Sequence, residues 1–196
     1  MIIGITGGTG CGKTTALDTI RELGGTVIDC DAVYHRLLQT DPLLLTAIEN
    51  RFPGTVTGGC LDRKKLGSIV FADPAALEDL NAITHKAVKQ KVLVLLKTNP
   101  GLAAIDAIGL FESGLAELCD ATVAVTAPLE VRIARLQARD SITREYALAR
   151  IKAQKDQSFY ESLCDYVLEN SSTREDFHRK CLVFFKELII IKETPI

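Results

Sequence analysis

One stretch near the start of the chain constrains its fold and chemistry more than any other. Residues 7–15 read G-G-T-G-C-G-K-T-T, after an apolar run at residues 2–5 and before a helix-like segment at residues 16–23. This is the pattern G-x-x-x-x-G-K-[ST] in its strand–loop–helix setting. Glycines let successive backbone N–H groups curl around a phosphate chain, and the following helix directs its positive end to the same place. The stretch therefore predicts a site for a nucleoside triphosphate.

The loop assigns roles to individual residues. Lys13 is expected to reach the β- and γ-phosphates, and the Thr14 hydroxyl is expected to hold Mg²⁺. The other residues expected to surround the phosphates are Gly8, Thr9, Gly10, Cys11, Gly12 and Thr15. Cys11 is also a candidate reactive thiol. The alternative, a glycine-rich turn without a ligand, is disfavoured because a chance match in a chain this long is on the order of one in a hundred.

Length and charge limit the possible partners. The 196 residues suit one domain (residues 1–196) with an inserted subdomain, and the net charge of −2 gives no general attraction to nucleic acid or membranes. The six cysteines lack a C-x-x-C pair or a zinc-type spacing, and no basic leader precedes the loop. We expect a cytoplasmic protein that is a monomer or a weak homo-oligomer, with no nucleic-acid or membrane partner.

Strand-like and helix-like segments alternate along most of the chain. Five segments read as strands, at residues 2–5, 26–29, 102–106, 120–126 and 166–169. A capping box that starts at Thr173 opens the last helix, and an apolar stripe follows it. This alternation predicts an α/β fold with a doubly wound five-stranded parallel sheet.

Residues 41–101 interrupt this alternation. Their apolar spacing predicts helices at 42–52, 63–71 and 73–97, with a loop at 53–59 and no strand. Sixty such residues exceed a simple crossover, so we expect a helical insertion in which a second substrate is recognised. His85 lies in it, although a lone histidine is more often packed or exposed without a function.

Carboxylates follow the predicted strands. Asp29 and Asp31 end the second strand, and an extended backbone would place both on one side, facing the phosphates. The alternative is that one of them caps a helix at residues 32–38. Asp106 ends the third strand as a possible Walker B acid, and Glu112 lies in the loop beyond.

Residues 129–157 carry the most uneven charge, because five of the eleven arginines fall between Arg132 and Arg150. Exposed helices with i, i+4 charge pairs would explain this composition. The alternative is a mobile arginine-rich lid over the transferring phosphoryl group, with residues 140–143 as the turn between its two helices.

Three functions fit a phosphate loop. A small-molecule kinase agrees with the compact size, the insertion, the paired acids and the arginines. A GTP-driven switch agrees with D-x-x-G at residues 106–109, but no N-K-x-D for guanine is present. A catalytically idle nucleotide-binding regulator is disfavoured by Lys13 together with Asp31.

The chain resembles the dephospho-CoA kinase family, a family of P-loop kinases, over essentially its whole length. The resemblance rests on residues 6–15 (TGGTGCGKTT), 27–31 (VIDCD), 61–66 (LDRKKL), 80–81 with His85, Asp106, 110–112 (LFE), Arg135, 139–140 (RD), Gln154 and 165–170. The loop is common to many kinases, whereas I-D-x-D fifteen residues after the lysine, followed by LFE and RD, is much more specific.

This resemblance implies transfer of the γ-phosphate of ATP to the ribose 3′-hydroxyl of dephospho-CoA, the last step of coenzyme A synthesis. It implies that Asp31 receives or orients the hydroxyl proton, that Lys13 and the loop amides hold the phosphates, and that Arg139 with Arg135 covers the charge of the transition state. Arg135 and Asn170 are implied at the nucleotide. Thr14 is implied at Mg²⁺, with Asp29 as a second metal candidate, and the acceptor is assigned to Asp31, His85 and Glu112.

Three positions depart from the family pattern. Ile108 replaces a usual proline, Gly109 replaces a usual leucine, and Lys86 replaces the proline after the histidine. These differences concern the backbone path of the acceptor site and leave the phosphate-transfer residues unchanged.

Overall fold

A five-stranded parallel sheet lies at the centre of the protein, as predicted. In the computed structural model, residues 1–193 are described, so the last three residues of the predicted domain 1–196 lie outside the described residues. The strands, in chain order, are β1 (Ile2–Thr6), β2 (Thr26–Asp29), β3 (Val56–Thr57), β4 (Cys60–Leu61), β5 (Ala103–Asp106), β6 (Ala121–Thr126) and β7 (Tyr166–Glu169). The sheet has the order β2-β5-β1-β6-β7 with every pair parallel, so the strand of the phosphate loop is its centre.

Helices cover both faces of the sheet. They are α1 (Lys13–Glu22), α2 (Cys30–Thr40), α3 (Pro42–Arg51), α4 (Arg63–Val70), α5 (Pro74–Thr98), α6 (Leu129–Asp140), α7 (Arg144–Lys152), α8 (Gln157–Leu163) and α9 (Arg174–Glu193). Neighbouring strand residues point to opposite faces, so Ala104 packs with α1 and α9 while Ile105 packs with α2 and α5. The doubly wound α/β fold is therefore confirmed.

The last helix begins and packs as the sequence predicts. The Thr173 hydroxyl accepts the N–H of Asp176 at 3.1 Å and donates to its carboxylate at 2.8 Å, which forms the capping interaction. The apolar stripe lies against the sheet, with Phe177, Cys181 and Phe185 fully buried. This helix closes one face of the core.

Residues 41–101 contain helices α3, α4 and α5, as expected, but the prediction that this range has no strand was wrong. Strands β3 and β4 form a small antiparallel hairpin within residues 56–61. Two-residue strands are too short for a detectable alternation, and the Glu49 carboxylate of α3 holds the hairpin by accepting the N–H of Val56 at 2.7 Å. This tertiary contact has no local sequence signal.

Within residues 1–193, no helix combines the length and the apolar character that a membrane span requires.

Candidate functional site

The phosphate loop connects β1 to α1 in the conformation that its glycines allow. Gly12 precedes the first residue of α1 with a φ of 91°, and a Cβ there would collide with the Asn170 side chain. Only glycine meets both requirements without strain. The helix therefore begins at Lys13, with its N-terminal N–H groups directed toward the loop.

A cavity of about 790 Å³ opens over this loop. Of the predicted nucleotide residues, it is lined by Gly8, Thr9, Gly10, Gly12, Lys13, Thr14, Arg135 and Arg139. Cys11, Thr15 and Asn170 do not line it. Lys13 Nζ donates to the Gly7 carbonyl at 2.8 Å, so the cation is held at the cavity wall. The size and the cationic lining suit a nucleoside triphosphate, and we call this space the nucleotide cavity.

Asn170 supports the loop from its outer side. It is 3% exposed and donates through Nδ2 to the Cys11 carbonyl at 2.9 Å, while its Oδ1 accepts from Arg135 at 2.9 Å. Asn170 thus connects the end of β7 to the loop and orients Arg135. Asn170 was predicted to lie at the nucleotide, but it does not line the cavity and contacts Arg135, which does.

Cys11 lies inside the protein instead of facing the cavity. Its side chain is 3% exposed, and burial raises the pKa of the thiol, although Arg132 and Lys13 act in the opposite direction. A buried thiol that remains protonated is a poor nucleophile. The structure therefore does not support a reactive Cys11.

Charge pairing on exposed helices describes some arginines of this region, whereas others line the cavity over the phosphate loop, and a mobile lid stays a prediction. Arg144 pairs with Glu130 and Arg150 pairs with Asp140, as charged groups on exposed helices do. Arg139 also pairs with Asp140 but lines the nucleotide cavity, as Arg135 does. The predicted turn starts one residue later than expected, since Asp140 ends α6 and Ser141 adopts a left-handed φ of 54°.

The expectation that Asp29 and Asp31 lie side by side on an extended backbone was wrong. Strand β2 ends at Asp29, whose Oδ1 accepts the N–H of Ala32 at 2.9 Å and caps α2. Helix α2 begins at Cys30 and places Asp31 in its first turn. The alternative that one of these acids is a helix cap is therefore correct for Asp29.

Asp31 lines a second cavity, of about 230 Å³, between α2, α5 and the loop that follows β5. The insertion contributes Asn81 and His85 from α5, and α2 contributes Tyr34. Ile108 lines both this cavity and the nucleotide cavity, so the two meet at this residue. This arrangement suits a donor and an acceptor that exchange a group where the cavities meet.

His85 and Glu112 are neighbours at this second cavity, although Glu112 does not line it. Burial lowers the pKa of His85, and the Glu112 carboxylate and backbone act against this shift. His85 therefore presents a mainly neutral imidazole near pH 7. A neutral ring can donate a hydrogen bond to an uncharged part of a ligand or accept one from it.

The departures from the family pattern lie around this cavity. Gly109 lines it, and a Cβ at this position would meet only the Glu112 carboxylate at 3.9 Å, an ordinary contact. Gly109 is thus not required by crowding at the position of a Cβ. Lys86 is exposed in the middle of α5, which continues through it without interruption.

Residues 1–176 match the protein-family model described as dephospho-CoA kinase. The chain belongs to the dephospho-CoA kinase family. A dephospho-CoA kinase of Deinococcus radiodurans is 41% identical over 183 residues, covering 88% of this chain and 85% of the relative. A dephospho-CoA kinase of Thermus thermophilus is 35% identical over 189 residues, covering 96% of this chain and 92% of the relative.

Solved structures agree with this family and with the fold. A Thermus thermophilus protein has a TM-score of 0.78 at 36% identity, over 96% of this chain and 97% of that one. Dephospho-CoA kinase from Campylobacter jejuni has a TM-score of 0.66 at 28% identity, over 95% and 96% of the two chains. A shikimate kinase from Bacteroides thetaiotaomicron, at 16% identity and a TM-score of 0.53, shares the fold.

The nucleotide cavity offers oxygen donors of the kind that a magnesium ion takes. Thr14 and Asp106 both line the cavity, whereas Asp29 does not. Within residues 1–193, no group of three His, Cys, Asp or Glu side chains could hold a metal. Magnesium usually takes one or two protein oxygens and completes its shell with phosphate oxygens and water, and the donor types of Thr14 and Asp106 fit this pattern.

Sequence reasoning left several cavity residues out of the predicted site. Asp106 was recognised as a possible Walker B acid but was not listed as a metal ligand, and Tyr34 and Arg174 carried no local signal. Asn81 appeared only within the family resemblance. The position of Asp106 at the carboxyl end of a central strand was the available signal for it.

Proposed function

We propose that this protein transfers the γ-phosphate of ATP to the ribose 3′-hydroxyl of dephospho-CoA. The observation that carries the proposal is the meeting of two cavities at Ile108, one with Lys13 and the other with Asp31. Family membership supports the reaction, and each of the two cavities would receive one of its two substrates. We further propose that the protein works in the cytoplasm, as a monomer or a weak homo-oligomer.

The nucleotide would occupy the larger cavity. Lys13 would leave the Gly7 carbonyl for the β- and γ-phosphates, and Arg135 is already fixed beside the loop. Arg139, from the same face of α6, would reach the transferring group. Cationic groups placed where charge develops stabilise the transition state more than the ground state.

Thr14 and Asp106 would hold magnesium, which would neutralise part of the negative charge of the phosphates. This proposal replaces Asp29 by Asp106, because Asp29 caps α2 and Asp106 lines the cavity. Burial raises the pKa of Asp106, and the carboxylates Asp29 and Asp31 act in the same direction while Lys13 opposes them. A divalent cation would favour the ionised form of such a carboxyl group.

The acceptor would enter the smaller cavity with its 3′-hydroxyl toward Asp31. The exposed Asp31 carboxylate would take the hydroxyl proton as the new P–O bond forms and ADP leaves. Tyr34, Asn81 and His85 offer polar groups to the nucleoside of the acceptor. Glu112 would orient His85, with which it interacts.

A coupled ADP-release assay with ATP and a panel of acceptors tests the function. The panel contains dephospho-CoA, adenosine, AMP, shikimate and gluconate, because shikimate kinases share the fold. We expect kcat/KM for dephospho-CoA to exceed that of every other acceptor, and the product to carry phosphate at the 3′ position by phosphorus NMR. Faster turnover of another acceptor would contradict the proposal.

A further inference from the structure

Helices α6 and α7 form an arginine-rich pair, and side chains at its two ends contact one residue of the phosphate loop, Thr9. Arg132, in the first turns of α6, donates through Nε to the Thr9 carbonyl at 2.9 Å. Gln154, two residues after α7, accepts the Thr9 N–H through Oε1 at 2.7 Å. Both backbone polar groups of Thr9 are therefore bound by side chains more than 120 residues away in the sequence.

Arg132 occupies an unusual environment for a guanidinium group. It is 6% exposed, and within residues 1–193 its Nη2 is a buried nitrogen without a hydrogen-bond partner. The same nitrogen lies against Gly8, where a Cβ would collide with it. Burying a charge with an unpaired donor costs stability relative to an apolar side chain, so packing alone does not explain an arginine here.

The spacing along α6 connects this contact to the reaction. Arg132, Arg135 and Arg139 follow one another at i, i+3 and i+7, which places them on one face of the helix. The first fixes the helix to Thr9, the second lies 3.4 Å from the Gly10 and Cys11 carbonyls, and the third lines the nucleotide cavity. The position of Arg139 thus depends on how α6 is held at Arg132.

We propose that Arg132 and Gln154 are positioning residues for phosphoryl transfer. They fix the Thr9 peptide and the base of the α6–α7 pair to each other, so that the loop and Arg139 meet the transferring group in one geometry. Neither residue lines the nucleotide cavity, so both act through Thr9 and Arg139. The proposal rests on the proposed function in that phosphoryl transfer is the step they serve.

The test compares Arg132→Met, Gln154→Leu and the double variant with a matched control, Arg144→Met. Arg144 lies in the same helical pair but forms an exposed ion pair with Glu130, so its removal deletes one arginine without touching the loop. Single-turnover transfer, the dissociation constant of ATP by calorimetry and the melting temperature are measured for each. Arg132→Lys is the second variant if Arg132→Met does not fold.

We expect Arg132→Met to lower the transfer rate by about 10²-fold, since a misplacement near 1 Å can have this effect. ATP affinity should change by less than about fivefold, because every residue that lines the cavity is retained, and Arg144→Met should match wild type. Because both side chains act on one peptide, the transfer rate of the double variant should lie within about threefold of the rate of the slower single variant.

Two results would overturn the proposal. One is a lower melting temperature with an unchanged transfer rate in the folded enzyme, which would make the pair merely structural. The other is a double variant whose loss equals the product of the single losses, which would mean that the residues act independently. If the acceptor panel identifies another substrate, the proposed function fails separately, and the same variants are assayed with that substrate.

Discussion

Asp29 and Asp106 are register partners at the carboxyl ends of the adjacent parallel strands β2 and β5, but only Asp106 lines the nucleotide cavity. The Asp29 carboxylate instead accepts the N–H of Ala32 at 2.9 Å and caps α2. The cap starts the helix directly after the strand, and Asp31 thereby lines the second cavity, which we propose as the acceptor cavity. Three acids within one sheet edge thus have three different positions and, we propose, three different roles.

Exchanging each of the first two acids for asparagine separates metal binding from helix capping. Asp106→Asn should raise the Mg²⁺ concentration for half-maximal activity by about tenfold or more, because a metal-directed carboxylate is lost. Asp29→Asn should leave that concentration unchanged, because asparagine caps a helix as well as aspartate does. A magnesium titration of both variants checks this. A raised requirement in Asp29→Asn alone would return the metal role to Asp29.

Lys13→Ala should fold normally and lose most of its turnover. The lysine is partly exposed and contacts the Gly7 carbonyl, so its removal should cost little stability. Losing a cation on the transferring phosphate should lower kcat by about 10²-fold or more. Lys152→Ala, at an exposed lysine of α7, is the control. Near-normal turnover of Lys13→Ala would remove the loop lysine from the mechanism.

Arg139→Ala should lower kcat far more than it weakens ATP binding, because a group that meets the transferring phosphoryl acts mainly in the transition state. Its ion pair with Asp140 is exposed, so thermal stability should change little. Arg144→Ala, which breaks the exposed pair with Glu130, should leave the kinetics unchanged. If Arg139→Ala has kcat and KM within about twofold of wild type, its assignment to the transition state is wrong.

The sequence was sufficient for features that depend on local patterns. The loop at residues 7–15 and the apolar strands around it have short-range signals, since glycine spacing and buried runs are properties of neighbouring residues. The cap at Thr173 and the stripe through Phe177 and Phe185 are equally local, and both are confirmed.

Features that depend on distant contacts could not be predicted. The hairpin at residues 56–61 is held by Glu49, and Thr9 is held by Arg132 and Gln154, more than 120 residues away. The sequence also left open whether Asp29 faces the phosphates or caps α2, because aspartate can serve at the end of a strand and as a helix cap. Only the packed structure distinguishes these uses.

The cysteines provide a test of burial around the loop. Burial raises the pKa of Cys11, and it raises the pKa of Cys30 to about 12 with the carboxylates of Asp106 and Asp29 contributing. Cys60, in the hairpin, is exposed. Iodoacetamide at pH 8 should therefore modify Cys60 first, in a fast phase that causes no loss of activity. Mass spectrometry identifies the modified cysteine, and Cys60→Ser should abolish the fast phase. Rapid modification of Cys11 with inactivation would contradict its burial.

Asp31→Asn tests the chemistry of transfer itself. Asparagine keeps the size and much of the hydrogen bonding of aspartate but cannot accept the 3′-hydroxyl proton, so transfer to dephospho-CoA should fall while ATP still binds. Phosphoryl transfer has a loose transition state, so the loss combines positioning with proton removal, and about 10²-fold or more is expected.

The measurement for Asp31→Asn is single-turnover transfer together with calorimetric ATP affinity, and Asp29→Asn serves as its matched control. Asp29 lies two residues away but outside both cavities, so its asparagine variant should transfer phosphate at close to the wild-type rate. Asp31→Asn should differ from this control in rate and not in ATP affinity, because Asp31 lines only the acceptor cavity. A wild-type rate in Asp31→Asn with a slow Asp29→Asn would reverse the two assignments.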